Sequence, residues 1–259
     1  MFGNSKAITH RWITETELEE IQPKELAESQ KLLFSPDIWK KILTSPVVWA
    51  ATIATVGHEF PTLMLALFLP SYLHDVLLYD VKDNSLLSSL PAACFCLSKV
   101  TVSSFSDWLL RRKLISPTKQ CKIFNIIAAV GLGTFILAPT FLECDQRTLA
   151  LAFLSISNIF AGFHVAGVLG TLVKIAPIYS GTVTGFIYFI VTLTWIVGPL
   201  VIRAITTSGT ATQWNIAFCI TAAVAYFPVL FYSIFGSAEP EDWGLPNRKT
   251  SSKNYEACP

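Results

Sequence analysis

The chain has 259 residues, 52% of them hydrophobic and 14% charged, with a formal net charge of +1 and a mean hydropathy of +0.52. Ordinary globular domains carry roughly 25% charged residues, so this composition excludes an ordinary soluble domain, a disordered chain, a coiled coil and a collagen-like fibre. The near-zero net charge gives no electrostatic case for nucleic acid, and the six cysteines and four histidines are too scattered for a disulfide or metal framework.

Residues 1–46 form a polar lead with Lys6, Arg11, Lys24, Lys31, Lys40 and Lys41 among seven acids. It has no basic segment followed by an apolar one, so no signal peptide is expected and the first span serves as its own anchor. Thr14-Glu15-Thr16-Glu17 is a capping-box pattern, in which Thr14 caps and Glu17 reaches back. It predicts a short amphipathic helix over about 15–33, interrupted at Pro23, whose charges form a solvated face.

Long uncharged runs follow: Ile123–Leu142, Thr148–Val173, Ile175–Ile202 and Ala204–Ala238. About 20 helical residues cross a hydrocarbon core roughly 30 Å thick. The last run breaks at the polar stretch Thr206–Gln213, and two earlier apolar segments carry internal charges. The reading is an all-α membrane protein with six transmembrane helices near 47–71, 85–107, 122–141, 148–171, 180–204 and 214–236. They form one bundle over 47–236, between the lead (1–46) and a tail (237–259).

Lys82, Arg147 and Arg203 fall on one side of these spans, Lys99 lies within one, and every other Lys and Arg falls on the side of the amino terminus. The positive-inside rule therefore places both termini in the cytoplasm. Small residues at helical spacing, Asn158, Gly162, Ala166 and Gly170, Ala129 and Gly133, and Gly181 and Gly185, are read as packing contacts between helices. Pro61, Pro70, Pro91, Pro199 and Pro228 are expected to kink or end helices and to hint at a cavity.

Ionisable groups at membrane depth cost several kcal/mol and mark function. Four stand out: His58 and Glu59 midway along the first span, Lys99 in the second and His164 in the fourth. Either Glu59 pairs with Lys99, or Lys99 snorkels to the interface and Glu59 is protonated. His58 and Glu59 are adjacent and point about 100° apart on a helix. A deep histidine either carries a coupled proton or packs through a hydrogen bond. There is no nucleophile–base motif, no paired-histidine zinc motif and no phosphate-cradling glycine loop, and Cys94 and Cys96 diverge on a helix. The sequence points to a transporter piece rather than an enzyme, without a cofactor.

Several motifs together resemble one family. They are Trp39–Trp49, Leu69–Leu73 (LPSYL), Leu87–Pro91 (LSSLP), Asp107-Trp108-Leu109 with Arg111 and Arg112, Ile175–Gly181 (IAPIYSG), Gly198-Pro199, and Phe235–Glu239 with Trp243. The chain is similar over about 11–245 to the anion symporters of the major facilitator superfamily, which include sialin, the vesicular glutamate transporters and the sodium–phosphate cotransporters. The resemblance implies one half of a major facilitator fold: helices seven to twelve of a twelve-helix carrier, with the lead as the central loop. It implies transport of a small organic or inorganic anion coupled to H⁺ or Na⁺, in the plasma membrane or a vesicular or lysosomal membrane. The partners it implies are the lipid bilayer, the solute and a missing six-helix amino-terminal half. The resemblance implies that His58 stands where the glutamate carriers place a basic residue facing substrate; with the deep groups Glu59 and His164 and with Tyr188 it forms the candidate substrate and proton site.

An acid at a helix carboxyl end is disfavoured by the dipole, so Asp107 needs a partner. The resemblance implies a latch in which Asp107 docks on the fifth span at Ser180–Gly181, supported by Arg111 and Arg112, with Lys99 as a further gating group. The chain departs from the family at Ser103, usually Gly, at Thr171 and Lys174, usually Asn and Asp, and at Tyr188, usually Asn. The alternative is a membrane protein without transport activity: a truncated isoform, a partner or a regulator.

Overall fold

The computed structural model describes residues 35–142 and 146–245. The Thr14–Glu17 capping box, the helix expected over 15–33, Cys144 and the chain beyond Leu245 lie outside the described residues. The chain divides into two units, 1–45 and 46–259. In the first, α1 (Pro36–Thr44) begins with proline at its first position and Asp37 in its first turn, and has Lys41 in its last turn. These charges complement the helix dipole.

The described residues of the second unit contain six helical spans long and apolar enough to cross a membrane. The first two are α2 (Pro46–Asp75) and α3 (Val81–Arg111), and the third is α4 (Pro117–Leu137) with a 3₁₀ turn at Ala138–Phe141. The fourth is composite: α5 (Arg147–Ala161), a π segment (Val165–Leu169) and α6 (Gly170–Ile175). After a 3₁₀ turn at Pro177–Tyr179 come α7 (Ser180–Ile205) and α8 (Ala211–Phe235), then a 3₁₀ turn at Asp242–Gly244.

The helices extend beyond the apolar segments because polar residues cap them. Ser116 Oγ accepts from the Lys119 N–H and Thr210 Oγ1 from the Gln213 N–H, so α4 and α8 start several residues before their apolar runs. Pro61, Pro70, Pro91, Pro199 and Pro228 all lie inside helices and end none of them.

Lipid tails compete with leucine for apolar contact, so association depends on close packing. A β carbon on Gly57 would lie 2.8 Å from Pro228 Cδ and 3.0 Å from the Val224 carbonyl, so only hydrogen lets α2 approach α8. Gly133 meets Tyr226 of α8, whose hydroxyl bonds Thr134 Oγ1 at 2.8 Å. Gly162 meets Ser98 and Lys99 of α3. A cluster including Leu65, Leu73, Leu132, Ile136, Leu154 and Phe218 ties α2, α4, α5 and α8 together. Buried hydroxyls return to their own helix: Thr52, Thr55 and Thr221 each donate to the carbonyl four residues back, which satisfies them without water.

The packing expectation fails at the fifth span. Nothing lies within 4 Å of a β carbon placed on Gly181 or Gly185, and Gly170 meets only the Val165 carbonyl. Spans two and five are the least covered, with 17% and 22% of their apolar windows buried against 56% and 50% for spans one and four. The glycines of α7 therefore sit on a helix with few neighbours in this chain.

One end of the bundle is tied by Ala238 N–H donating to Thr118 Oγ1 at 3.3 Å, Glu241 N–H to the Ile175 carbonyl at 2.8 Å, and Lys122 Nζ to the Ile234 carbonyl at 3.4 Å. The opposite end is tied by Asn84 Nδ2 donating to the Pro70 carbonyl at 2.8 Å and Arg147 Nη1 to the Leu78 carbonyl at 3.5 Å.

Candidate functional site

The fourth span loses its regular ladder at Gly162-Phe163. Gly162 N–H is shared between the Asn158 and Ile159 carbonyls, while Ala166 and Gly167 both donate to the Phe163 carbonyl. The π segment Val165–Leu169 follows, a feature frequent at functional positions. Two neighbouring helices support it. Ser98 Oγ of α3 donates to the Ile159 carbonyl at 2.5 Å, and Tyr232 Oη of α8 donates to the Gly167 carbonyl at 3.4 Å and bonds Thr171 Oγ1 at 3.2 Å.

His164 lies at the start of this distortion and stacks on His58 of α2, ring centroids 3.9 Å apart and planes 8° from parallel. Both are buried, at 2% and 5% exposure. Among the described residues, His58 Nδ1, both ring nitrogens of His164 and Asn125 Nδ2 have no hydrogen-bond partner. These three side chains line one small cavity, which Gly57 and Pro228 also border. Buried polar groups are normally satisfied, so four unpartnered nitrogens around one cavity depart from that rule.

Lys99 Nζ lies 4.1 Å above the Phe95 ring, and its charge reaches His58, His164 and Glu59. Among the described residues Glu59 and Lys99 form no ion pair; the cation rests on the aromatic face instead, as desolvated ammonium groups do. Glu59 and Tyr188 are half-buried and act on each other electrostatically. The structure thus brings His58 and His164 into contact and places Lys99, Glu59 and Tyr188 within electrostatic reach in a chain around them.

Of the expected gating residues, all but Lys99 lie elsewhere. Asp107, Arg111 and Arg112 are exposed at the end of α3, with the Arg112 guanidinium 5.4 Å from the Trp108 ring. Asp107 lines a second cavity, of about 250 Å³, with Ser106, Gln120, Cys121, Thr171 and Lys174. The amino end of α7 does not line it. The described residues hold no group of three or more His, Cys, Asp or Glu able to bind a metal.

Sequence reading did not single out Asn125, Ser98, Gln120 or Tyr232, nor the π segment. Asn125 is an isolated amide on the third predicted span, and Gln120 falls in the loop just before it. The π segment had only a weak sign, the glycines at 162, 167 and 170.

Comparison with known proteins gives the family. The family model of the Major Facilitator Superfamily matches residues 7–199. The chain is 30% identical to sialin of Ovis aries over 93% of its own length and 48% of the relative's. It is 31% identical to sialin of Homo sapiens over 80% and 42%. It is 29% identical to vesicular glutamate transporter 3 of Danio rerio over 96% and 42%. The chain spans about half the length of the curated relatives it matches.

Proposed function

This chain belongs to the Major Facilitator Superfamily, and we propose that it acts as the carboxyl-terminal half of a carrier for small anions, coupled to H⁺ or Na⁺. The observation that carries the reading is the buried His58–His164 stack with its unpartnered nitrogens and Lys99 nearby. An anion at the midplane needs cations or hydrogen-bond donors, and imidazole and ammonium supply both. Imidazole can accept and release a proton, which suits H⁺ coupling, while Glu59 offers a second exchangeable proton.

Carriers of this superfamily rock two halves about a midplane site, each half supplying one wall. The thin cover of spans two and five supports a face that another six-helix half completes. The amino-terminal half is the implied partner, and the chain without it is inactive. Both termini are cytoplasmic by the charge asymmetry, with Asp107, Arg111, Arg112 and Lys99 as gating groups. The membrane is the plasma membrane or a vesicular or lysosomal one. Coverage of about half of each relative also favours a second reading, a non-transporting partner or regulator.

Liposomes separate the two readings. The chain is joined to the amino-terminal six-span half of a relative and supplied with a panel of anions under a proton or sodium gradient. Saturable, gradient-driven uptake that His58→Ala removes supports transport; no uptake with any anion favours the second reading.

A further inference from the structure

We propose that the small cavity shared by α2, α4, α8 and the fourth span is a site for one water molecule, positioned by Asn125, through which His58 and His164 share a single proton. The stacked rings cannot pass a proton directly. Their planes lie 8° from parallel with centroids 3.9 Å apart, and a ring N–H points outward in its own plane, so neither ring donates to the other. A group at the ring edges has to carry the proton. His58, His164 and Asn125 line one cavity there, and His58 Nδ1, both His164 nitrogens and Asn125 Nδ2 have no partner among the described residues.

The cavity measures about 10 Å³. A buried water needs roughly 10–15 Å³ and about two to four polar partners, so one water fits and an organic anion does not. The rest of the wall is alanine, glycine, leucine and proline. Asn125 is 2% exposed and is seated by the π segment: a β carbon on Gly167 would lie 2.8 Å from the Asn125 backbone nitrogen, so α4 comes this close only against glycine. The Asn125 amide donates to the water oxygen and orients it. A protonated His164 then gives its N–H proton to the water while the water gives one of its own to His58 Nδ1; the water is regenerated and the charge has moved from one ring to the other. Two charged imidazoles at this distance repel, and Lys99 of α3 adds a positive charge that reaches both. Glu59 of α2 interacts with Lys99, and Tyr188 of α7 with Glu59; α4 and α8 add no titratable group to the wall among the described residues. The pair therefore holds one proton at a time. The relay rests on the carrier reading only in naming that proton as the coupled one.

Every wall of the cavity belongs to this chain, so the full chain in lipid nanodiscs suffices for the test. With ¹⁵N-labelled histidine, the His58 and His164 rings are followed by NMR as pH is lowered. Both should shift with one midpoint, and the two shifts together should amount to one protonated imidazole. Asn125→Leu, close in size, should end the sharing, so that one ring takes the whole shift and the other none; Asn125→Ser, which keeps a donor, should restore it. Full shifts in both wild-type rings, a shift confined to one of them, no shift in either, or sharing unchanged in Asn125→Leu overturns the relay. Where Asn125→Leu does not fold, His164→Phe decides, because it keeps a stacked ring without nitrogens: the whole shift on His58 supports the relay and a partial one overturns it. Anion uptake is not read here, so a failed relay leaves the carrier reading standing, and a carrier that takes up no anion leaves the relay standing.

Discussion

Gly57 and Gly185 occupy the same kind of sequence, an apolar helix interior, yet meet opposite surroundings. A methyl group at Gly57 would press on Pro228 and the Val224 carbonyl; at Gly185 it would meet nothing within 4 Å. Overpacking costs about 1–3 kcal/mol, while Gly→Ala in an unstrained helix stabilises by about 0.5–1 kcal/mol. Gly57→Ala should lower the thermal midpoint of the detergent-solubilised chain and Gly185→Ala should hold or raise it; shifts of the same sign would contradict the packing described. Tyr232 is the second residue with an assigned load, since its hydroxyl serves Thr171 and the Gly167 carbonyl. Tyr232→Phe should cost about 1 kcal/mol, read as a lower midpoint with the helical circular-dichroism signal retained. His58 carries the functional test at this scale. In a twelve-helix protein with its amino-terminal half supplied, His58→Ala should abolish the pH dependence of uptake or sharply raise the half-saturation concentration. Unchanged transport would remove His58 from the site.

The spans were legible one by one because each must satisfy its backbone internally and carry few charges, which leaves long apolar runs in the sequence. Their orientation is a separate prediction. Cys144 should label from the non-cytoplasmic face and Cys258 from the cytoplasm, following the distribution of Lys and Arg; the reverse pattern would invert the topology. The fourth span was read as one continuous helix. The break at Gly162-Phe163 depends on partners from two other helices, Ser98 and Tyr232, that take up the displaced carbonyls. No periodicity within residues 147–175 carries that information, because the stabilising groups lie about 60 residues away on either side.

At the scale of the molecule, the described residues of the second unit form six spans, of which the second and fifth are sparsely covered. Exposing Lys99, Glu59 and Tyr188 to hydrocarbon costs several kcal/mol, so the chain alone should self-associate, lose stability or await a partner. Purified chain reconstituted without any partner should show no anion uptake above empty vesicles. Saturable uptake under those conditions would show that the six helices suffice, and the reading of an incomplete carrier would fall.

Composition and the uncharged runs determined, by themselves, that this is an all-helical membrane protein of six spans, because a hydrocarbon solvent acts on each segment separately. The motifs carried the likeness to the anion symporters, and depth in a span was enough to single out His58, Glu59, Lys99 and His164. Only the tertiary structure decided which of these meet. It stacked His58 on His164, set Lys99 on Phe95 rather than in an ion pair with Glu59, and put Asp107 beside a cavity shared with Lys174 rather than at the amino end of α7. The reason is geometric. Depth along a helix follows from residue number, but rotation about the helix axis and the neighbour it faces are set by close packing between helices, such as Gly57 on Pro228 and Gly162 on Ser98, and lipid supplies no hydrophobic pattern from which that facing could be read.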